Sequence, residues 1–117
     1  MFQKKSYLIL IAFILLIINS CSEYQKVLKS TDYNLKYEKA IEYYEEEDYY
    51  RALSLLEELV SLYRGSERAE RIAWMYSNCY YQQGDYILAG YYFSNFAKTY
   101  SNSEHTEEAY FLSAYCN

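Results

Sequence analysis

Cys79-Tyr80-Tyr81-Gln82-Gln83-Gly84-Asp85-Tyr86-Ile87-Leu88-Ala89 reads as the end of one helix, a tight turn at Gly84-Asp85 and the start of a second helix. Glycine suits the left-handed position that closes a helix, and aspartate can accept a bond from an unpaired N–H of the next. The 43–52 stretch, Tyr43-Tyr44-Glu45-Glu46-Glu47-Asp48-Tyr49-Tyr50-Arg51-Ala52, has the same skeleton, and Tyr86 lies 37 positions after Tyr49. Tyr-Tyr, three residues, Asp, Tyr, two residues and Ala recur in both. A fixed period of this size signals a repeat of one supersecondary unit.

Working outward, the apolar positions follow helical spacing. Helix A1 is expected from Asp32 or Ser30 as cap to about Glu46, with Tyr33, Tyr37, Ala40, Ile41 and Tyr44 on one face. Helix B1 runs from Asp48 to just before Gly65, with Tyr49, Ala52, Leu53, Leu56, Leu59, Val60 and Tyr63 as its stripe. Ser66 can cap helix A2, which runs from about Glu67 to Gln83 through Ile72, Trp74, Met75, Tyr76, Cys79 and Tyr80. Helix B2 starts at Asp85 and carries Tyr86, Ala89, Phe93, Phe96, Ala97 and Tyr100. After the polar break Ser101-Asn102-Ser103, helix A3 starts near Glu104 and is still running at Asn117.

A shift of 37 superposes the B helices: Asp48 on Asp85, Tyr49 on Tyr86, Ala52 on Ala89, Leu56 on Phe93, Leu59 on Phe96, Val60 on Ala97 and Tyr63 on Tyr100. In the A helices the same shift aligns aromatic Tyr37, Trp74 and Phe111, and small Ala40, Ser77 and Ala114. A two-helix unit cannot bury its face alone, so stacked copies share a core. This resembles the tetratricopeptide repeat, whose usual period is 34 residues. The longer period here implies extra residues in each B-to-A loop. Glu47 stands where the family's turn glycine is Gly84 in the second copy, and the family's proline after helix B is absent. The reading is an all-α fold: a tetratricopeptide-repeat helical solenoid of about two and a half repeats over 32–117. The chain stops inside the third repeat, and about three repeats are needed for stability, so the repeat domain is expected to be incomplete at its C-terminus and the natural protein longer.

With no proline, three glycines and many Ala, Leu, Glu and Tyr, composition favours helices over a turn-rich β fold. All sixteen acids follow Cys21, so that part of the chain is strongly negative and repels phosphate backbones; no nucleic-acid partner is expected.

The N-terminus has another character. Lys4-Lys5 precede the twelve-residue apolar run Tyr7–Ile18, which is shorter than the ~20 residues of a membrane span and fits the core of a secretory signal. Ile18-Asn19-Ser20-Cys21 follows and resembles the lipobox of bacterial lipoproteins, with Asn19 a loose fit at its middle position. Residues 1–20 are therefore read as a lipoprotein signal peptide. Cys21 is the lipidation site, its thiol taking a diacylglyceryl group and its freed amine a further acyl chain such as palmitate. Residues 21–31 form a short, partly helical lipidated tether to the membrane; two or three chains anchor stably, at about 0.8 kcal/mol per buried CH₂.

No catalytic residue, cofactor site or metal cluster is expected. His105 is the only histidine, and a lone histidine cannot form the base-and-orienter pair of nucleophilic catalysis; a capping or surface role is the reading. Cys79 and Cys116 occupy one repeat position, suited to a small buried thiol, and neighbouring packed helices about 8–10 Å apart hold such positions beyond the ~7 Å Cα reach of a disulfide. Glu45-Glu46-Glu47 is read as a solvated turn. In the repeat family the A helices line a concave groove, which makes Tyr37, Tyr44, Tyr80 and Tyr81 the candidate peptide-groove residues, suited to an extended aromatic peptide.

A lipobox cysteine followed directly by such repeats resembles the outer-membrane assembly factor family BamD (YfiO), over Cys21 to Asn117. The carriers are Cys21, the 33–64 segment with its long first loop, and Ala109-Tyr110-Phe111-Leu112-Ser113-Ala114-Tyr115-Cys116 after the polar break. The resemblance implies a non-enzymatic, lipid-anchored scaffold of the β-barrel assembly machinery (the BAM complex) in the Gram-negative outer membrane, facing the periplasm. Its implied partners are unfolded outer-membrane proteins, the barrel-assembly subunit and other assembly lipoproteins. The alternatives are another repeat-containing envelope lipoprotein, Tol-Pal related or glycan-binding, or the helical front part of an enzyme.

Overall fold

The computed structural model describes residues 2–117. Met1, at the head of the expected signal peptide, lies outside the described residues, as do the side chains of Phe2 and of Ser20, the small residue of the lipobox. The chain forms two compact units, Met1–Thr31 and Asp32–Asn117.

The first unit is one helix, α1 (Phe2–Lys29). Among the described residues it is the one helix long and apolar enough to cross a membrane, and its N-terminal position fits a signal peptide. It continues without a break into the expected tether and ends there at Lys29. Lys26 and Lys29 lie in its last turn, where positive charge offsets the negative end of the helix dipole. Cys21 is exposed.

The second unit is a tetratricopeptide-like helical solenoid of α2 (Tyr33–Glu45), α3 (Tyr49–Leu62), α4 (Ala69–Gln82), α5 (Tyr86–Thr99) and α6 (Thr106–Cys116). Each helix packs on the next in chain order, and no strand occurs among the described residues. Local chemistry sets the helix starts. Asp32, Asp48 and Asp85 accept the backbone N–H of Leu35, Arg51 and Leu88 at 3.2–3.3 Å.

The turn that fixes the repeat is the same twice. The N–H of Asp48 reaches the carbonyl of Tyr43 and that of Glu47 reaches Tyr44; Asp85 and Gly84 do the same to Tyr80 and Tyr81. This double bond pattern closes a helix around one left-handed residue. That residue is Gly84 (φ 81) in the second copy and Glu47 (φ 61) in the first. An aromatic pair closes each turn from outside: Tyr44 on Tyr49 at 5.7 Å and Tyr81 on Tyr86 at 5.6 Å.

The longer period resides in the B-to-A loops. Ser66 and Ser103 donate to Tyr63 and Tyr100, and Ala69 and Thr106 donate to Ser66 and Ser103. The extra residues thus wind into paired turns before the helix proper, so α4 begins at Ala69 and α6 at Thr106, later than Glu67 and Glu104. Ser66 does not cap α4: its hydroxyl turns back to the Tyr63 carbonyl at 2.6 Å.

The core is a run of interhelical layers. Ala52, Leu55, Leu56 and Leu59 of α3 and Ala89, Phe93, Phe96 and Ala97 of α5 are buried, as are Ile72, Met75 and Cys79 of α4. Of the three recurring small residues, Ala40 and Ser77 are buried and Ala114 is exposed. Gly90 permits close approach of α6: a Cβ there would meet the Cβ of Cys116 at 3.0 Å, and Ser113 donates to the Gly90 carbonyl at 3.1 Å.

Candidate peptide-binding surfaces

The four groove tyrosines do not share one surface. Tyr37 is buried, with Tyr63 at 6.0 Å from its ring and the Arg68 guanidinium 4.3 Å over it. Tyr44 is half-buried and its hydroxyl accepts from the Asn78 amide at 2.7 Å, joining α2 to α4. Burial pushes the Tyr44 phenol up, partly offset by that bond. Tyr81 sits against Tyr86, Phe93 and Tyr115. Tyr80 turns to another side, stacked on Tyr92 at 5.4 Å and hydroxyl to hydroxyl with Tyr76 at 3.2 Å. The reason is helical phase: adjacent residues on a helix point about 100° apart, so Tyr80 and Tyr81 cannot line one wall.

Two open grooves result. The first, of about 380 Å³, lies on the A-helix side. Tyr44, Trp74 and Met75 form its apolar part, while Glu45, Glu67, Glu70 and Glu104 ring it with Arg71. His105 completes it: its ring stacks on Trp74 at 4.3 Å and 11°, and its Nε2 lies 3.6 Å from Glu104. His105 is the N-cap residue of α6 but makes no side-chain cap. Its place is the repeat counterpart of Arg68 over Tyr37, a pairing already written in the sequence by the same shift of 37 that matches Tyr37 to Trp74.

The second groove, of about 550 Å³, lies between α3 and α5 over α4. Tyr76, Tyr91, Tyr92 and Tyr100 face it, with Asn95 and Arg64. Tyr92 packs on Tyr76 at 4.8 Å and on Tyr91 at 5.1 Å. Burial and the neighbouring hydroxyls of Tyr80 and Tyr92 push the Tyr76 phenol well above its usual range. A phenol so placed stays neutral.

Sequence reasoning missed Lys36. It is buried on α2, and its ammonium meets Glu58 of α3 at 2.6 Å with the Tyr33 ring at 5.6 Å. Lysine reads as solvated in any periodicity argument, although its stem can bury while its charge finds a partner. Cys79 and Cys116 are not joined by a disulfide, and burial raises the Cys79 thiol to about 12, which makes it inert as a nucleophile. No cluster of three or more metal-ligating side chains occurs among the described residues.

A family model described as YfiO, outer membrane lipoprotein, matches residues 29–117, which takes in all of α2 to α6. No curated protein and no solved structure matches the chain.

Proposed function

This chain belongs to the YfiO family of outer membrane lipoproteins, and from that premise we propose that it is a non-enzymatic scaffold of the β-barrel assembly machinery, anchored through Cys21 and facing the periplasm. Its mature part begins at Cys21, residues 21–31 tether it, and the repeats of 32–117 take hold of unfolded barrel proteins. The barrel-assembly subunit and other assembly lipoproteins are its partners.

The observation that carries the reading is the A-helix groove, which joins an aromatic floor of Tyr44 and Trp74 to an open, half-apolar trough. Barrel strands alternate aromatic and polar side chains, and such a trough suits one of them without demanding a strict sequence. On this reading Tyr44, alone of the four candidate tyrosines, contacts the guest in this groove, beside Trp74 and Met75.

Co-purification from detergent-solubilised outer membranes tests the reading. The anchored protein should bring down a barrel-assembly subunit, and its repeated failure to do so ends the assembly role. Labelling with a radioactive fatty acid should mark the wild type and spare Cys21→Ala; an unlabelled wild type removes the anchor. Tyr44→Ala should weaken capture of unfolded barrel peptides while leaving the helical content intact, and Tyr81→Ala, outside this groove, should leave capture unchanged.

A further inference from the structure

The seam between the A and B helices is filled by different chemistry in the two repeats. Shifted by 37, Ala73 and Asn95 of the second repeat fall on Lys36 and Glu58 of the first. In the first repeat those two close the space between A and B helices with a buried ammonium and its carboxylate at 2.6 Å. In the second repeat a methyl group and a neutral amide stand there, and both face the open groove. Tyr76 and Tyr91 replace Lys39 and Ser54 by the same shift, so two phenol rings are added where the plug has been removed.

The charge of this groove is unlike that of the rest of the domain. No carboxylate lines it, although the chain has sixteen acidic residues, and Arg64 is its one charged side chain. Among the described residues no carboxylate pairs with Arg64. The A-helix groove, by contrast, carries four glutamates. Phenol rings offer flat apolar faces with hydroxyls at their edges, and a guanidinium offers a forked donor matched to a carboxylate.

We propose that the α3–α5 groove is a second docking site, and that it takes an extended acidic–aromatic segment of a partner protein, whose carboxylate pairs with Arg64 while its ring lies on Tyr91 and Tyr92. Extended backbone leaves its carbonyls free, and the Asn95 amide and the Tyr91 hydroxyl are placed to donate to them. The site stands on the repeat comparison and on charge, and holds whether or not the A-helix groove captures barrel proteins.

The test uses the detergent-solubilised full chain and fluorescently labelled, end-capped synthetic pentapeptides that alternate tyrosine with glutamate or tyrosine with lysine. By anisotropy the acidic peptide should bind at least tenfold tighter than the basic one, with the preference shrinking as salt is raised. The double variant Ala73→Lys, Asn95→Glu rebuilds the first repeat's plug and should weaken acidic-peptide binding at least tenfold. Arg64→Glu, a change at an exposed position that leaves the fold alone, should abolish the acidic preference. Equal binding of both peptides, wild-type affinity in either variant, or a neutral oligosaccharide that outcompetes the acidic peptide would each overturn the proposal. Tyr44→Ala leaves this groove untouched, so its effect on barrel-peptide capture reads the other site separately.

Discussion

The two complete repeats share a backbone and differ in what fills it. Their turns match bond for bond, from the carbonyls of Tyr43 and Tyr80 to the caps of Asp48 and Asp85. Their B helices share three buried positions, Ala52, Leu56 and Leu59 in one and Ala89, Phe93 and Phe96 in the other. Between these fixed points the chemistry diverges. The first repeat seals its A–B seam with Lys36 and Glu58; the second leaves the seam open under tyrosines. One arrangement of helices therefore carries an ion pair across its seam in one repeat and an open, tyrosine-lined groove in the other.

The shared core is the place where both repeats are equally vulnerable. Ala52 and Ala89 are wholly buried at the same repeat position. Ala52→Asp and Ala89→Asp each bury an unpaired carboxylate, expected to cost more than about 4 kcal/mol. Both should abolish the cooperative urea transition followed by circular dichroism. If one variant melts only its own half of the signal, the repeats fold independently and the comparison must be made repeat by repeat.

Alkali should separate them. Cys79 has its thiol raised from 9.0 to about 12 by burial, and Tyr76 beside it on α4 is raised as well; their first-repeat counterparts are Glu42 and Lys39, neither a thiol nor a phenol. In the unfolded chain the thiol loses its proton near 9, whereas in the folded chain it keeps it. The unfolded state then binds fewer protons, and stability falls as pH rises from 9 toward 12, by about 1.4 kcal/mol per pH unit for one such group. Over two units this amounts to about 3 kcal/mol, read as a falling urea midpoint. Cys79→Ala should flatten that slope; an unchanged slope would show that the thiol is not what alkali attacks.

The seam itself comes next in size. Glu58→Ala leaves the buried Lys36 ammonium without its carboxylate. Because Glu58 is half-exposed and water can reach the site, the expected cost is about 1–2 kcal/mol rather than the full penalty of a buried pair. Asn95→Ala at the equivalent place should cost less than about 0.5 kcal/mol, since it lines open space. Lys36→Met should be near neutral, as an apolar side chain of similar length fills the same seam. Equal losses at Glu58 and Asn95 would erase the distinction between a plugged and an open repeat.

The fold was legible in the sequence because its determinants are local and recur. Asp at each turn and the small and aromatic positions survive a shift of 37, while the turn residue changes from Glu47 to Gly84. The surfaces were less legible. Tyr37, Tyr44, Tyr80 and Tyr81 share a helix type, but the direction of each ring depends on phase and on partners from the next helix, and Tyr80 and Tyr81 part company on adjacent positions. Lys36 was invisible for the opposite reason: its partner Glu58 lies 22 residues away on another helix. Arg68 and His105 were legible in principle, since the shift that pairs Tyr37 with Trp74 also pairs the two planar groups above them.

The turn residue offers a paired test of about 1 kcal/mol. Gly84 and Glu47 hold the same left-handed conformation, which costs a residue with a Cβ about 1 kcal/mol relative to glycine. A Cβ on Gly84 meets nothing within 4 Å, so Gly84→Ala should destabilise by that backbone term alone. Glu47→Gly should stabilise by up to a similar amount, the gain reduced by the freedom glycine adds to the unfolded chain. If Glu47→Gly instead destabilises, the glutamate side chain contributes something the turn geometry does not reveal.

The smallest difference is the one above the A helices, where a guanidinium covers Tyr37 and an imidazole covers Trp74, both at 4.3 Å. Arg68 also lies 5.7 Å from the Tyr63 ring and donates to Asn34 at 2.8 Å, so it ties three groups together. His105 has the stack and Glu104 at 3.6 Å. Arg68→Ala should therefore cost about 1 kcal/mol and His105→Ala about 0.5 kcal/mol, in line with half-exposed cation–π and ring-stacking contacts. Trp74 is the only tryptophan, so its emission reports the second stack directly: His105→Ala should shift it to longer wavelength as water reaches the uncovered face, while Arg68→Ala leaves it unchanged. His105→Arg restores to the second repeat the cover used by the first and should return the emission to its original position. If arginine does not cover Trp74 as it covers Tyr37, the match of the two repeats ends at the backbone and does not extend to the groups stacked on it.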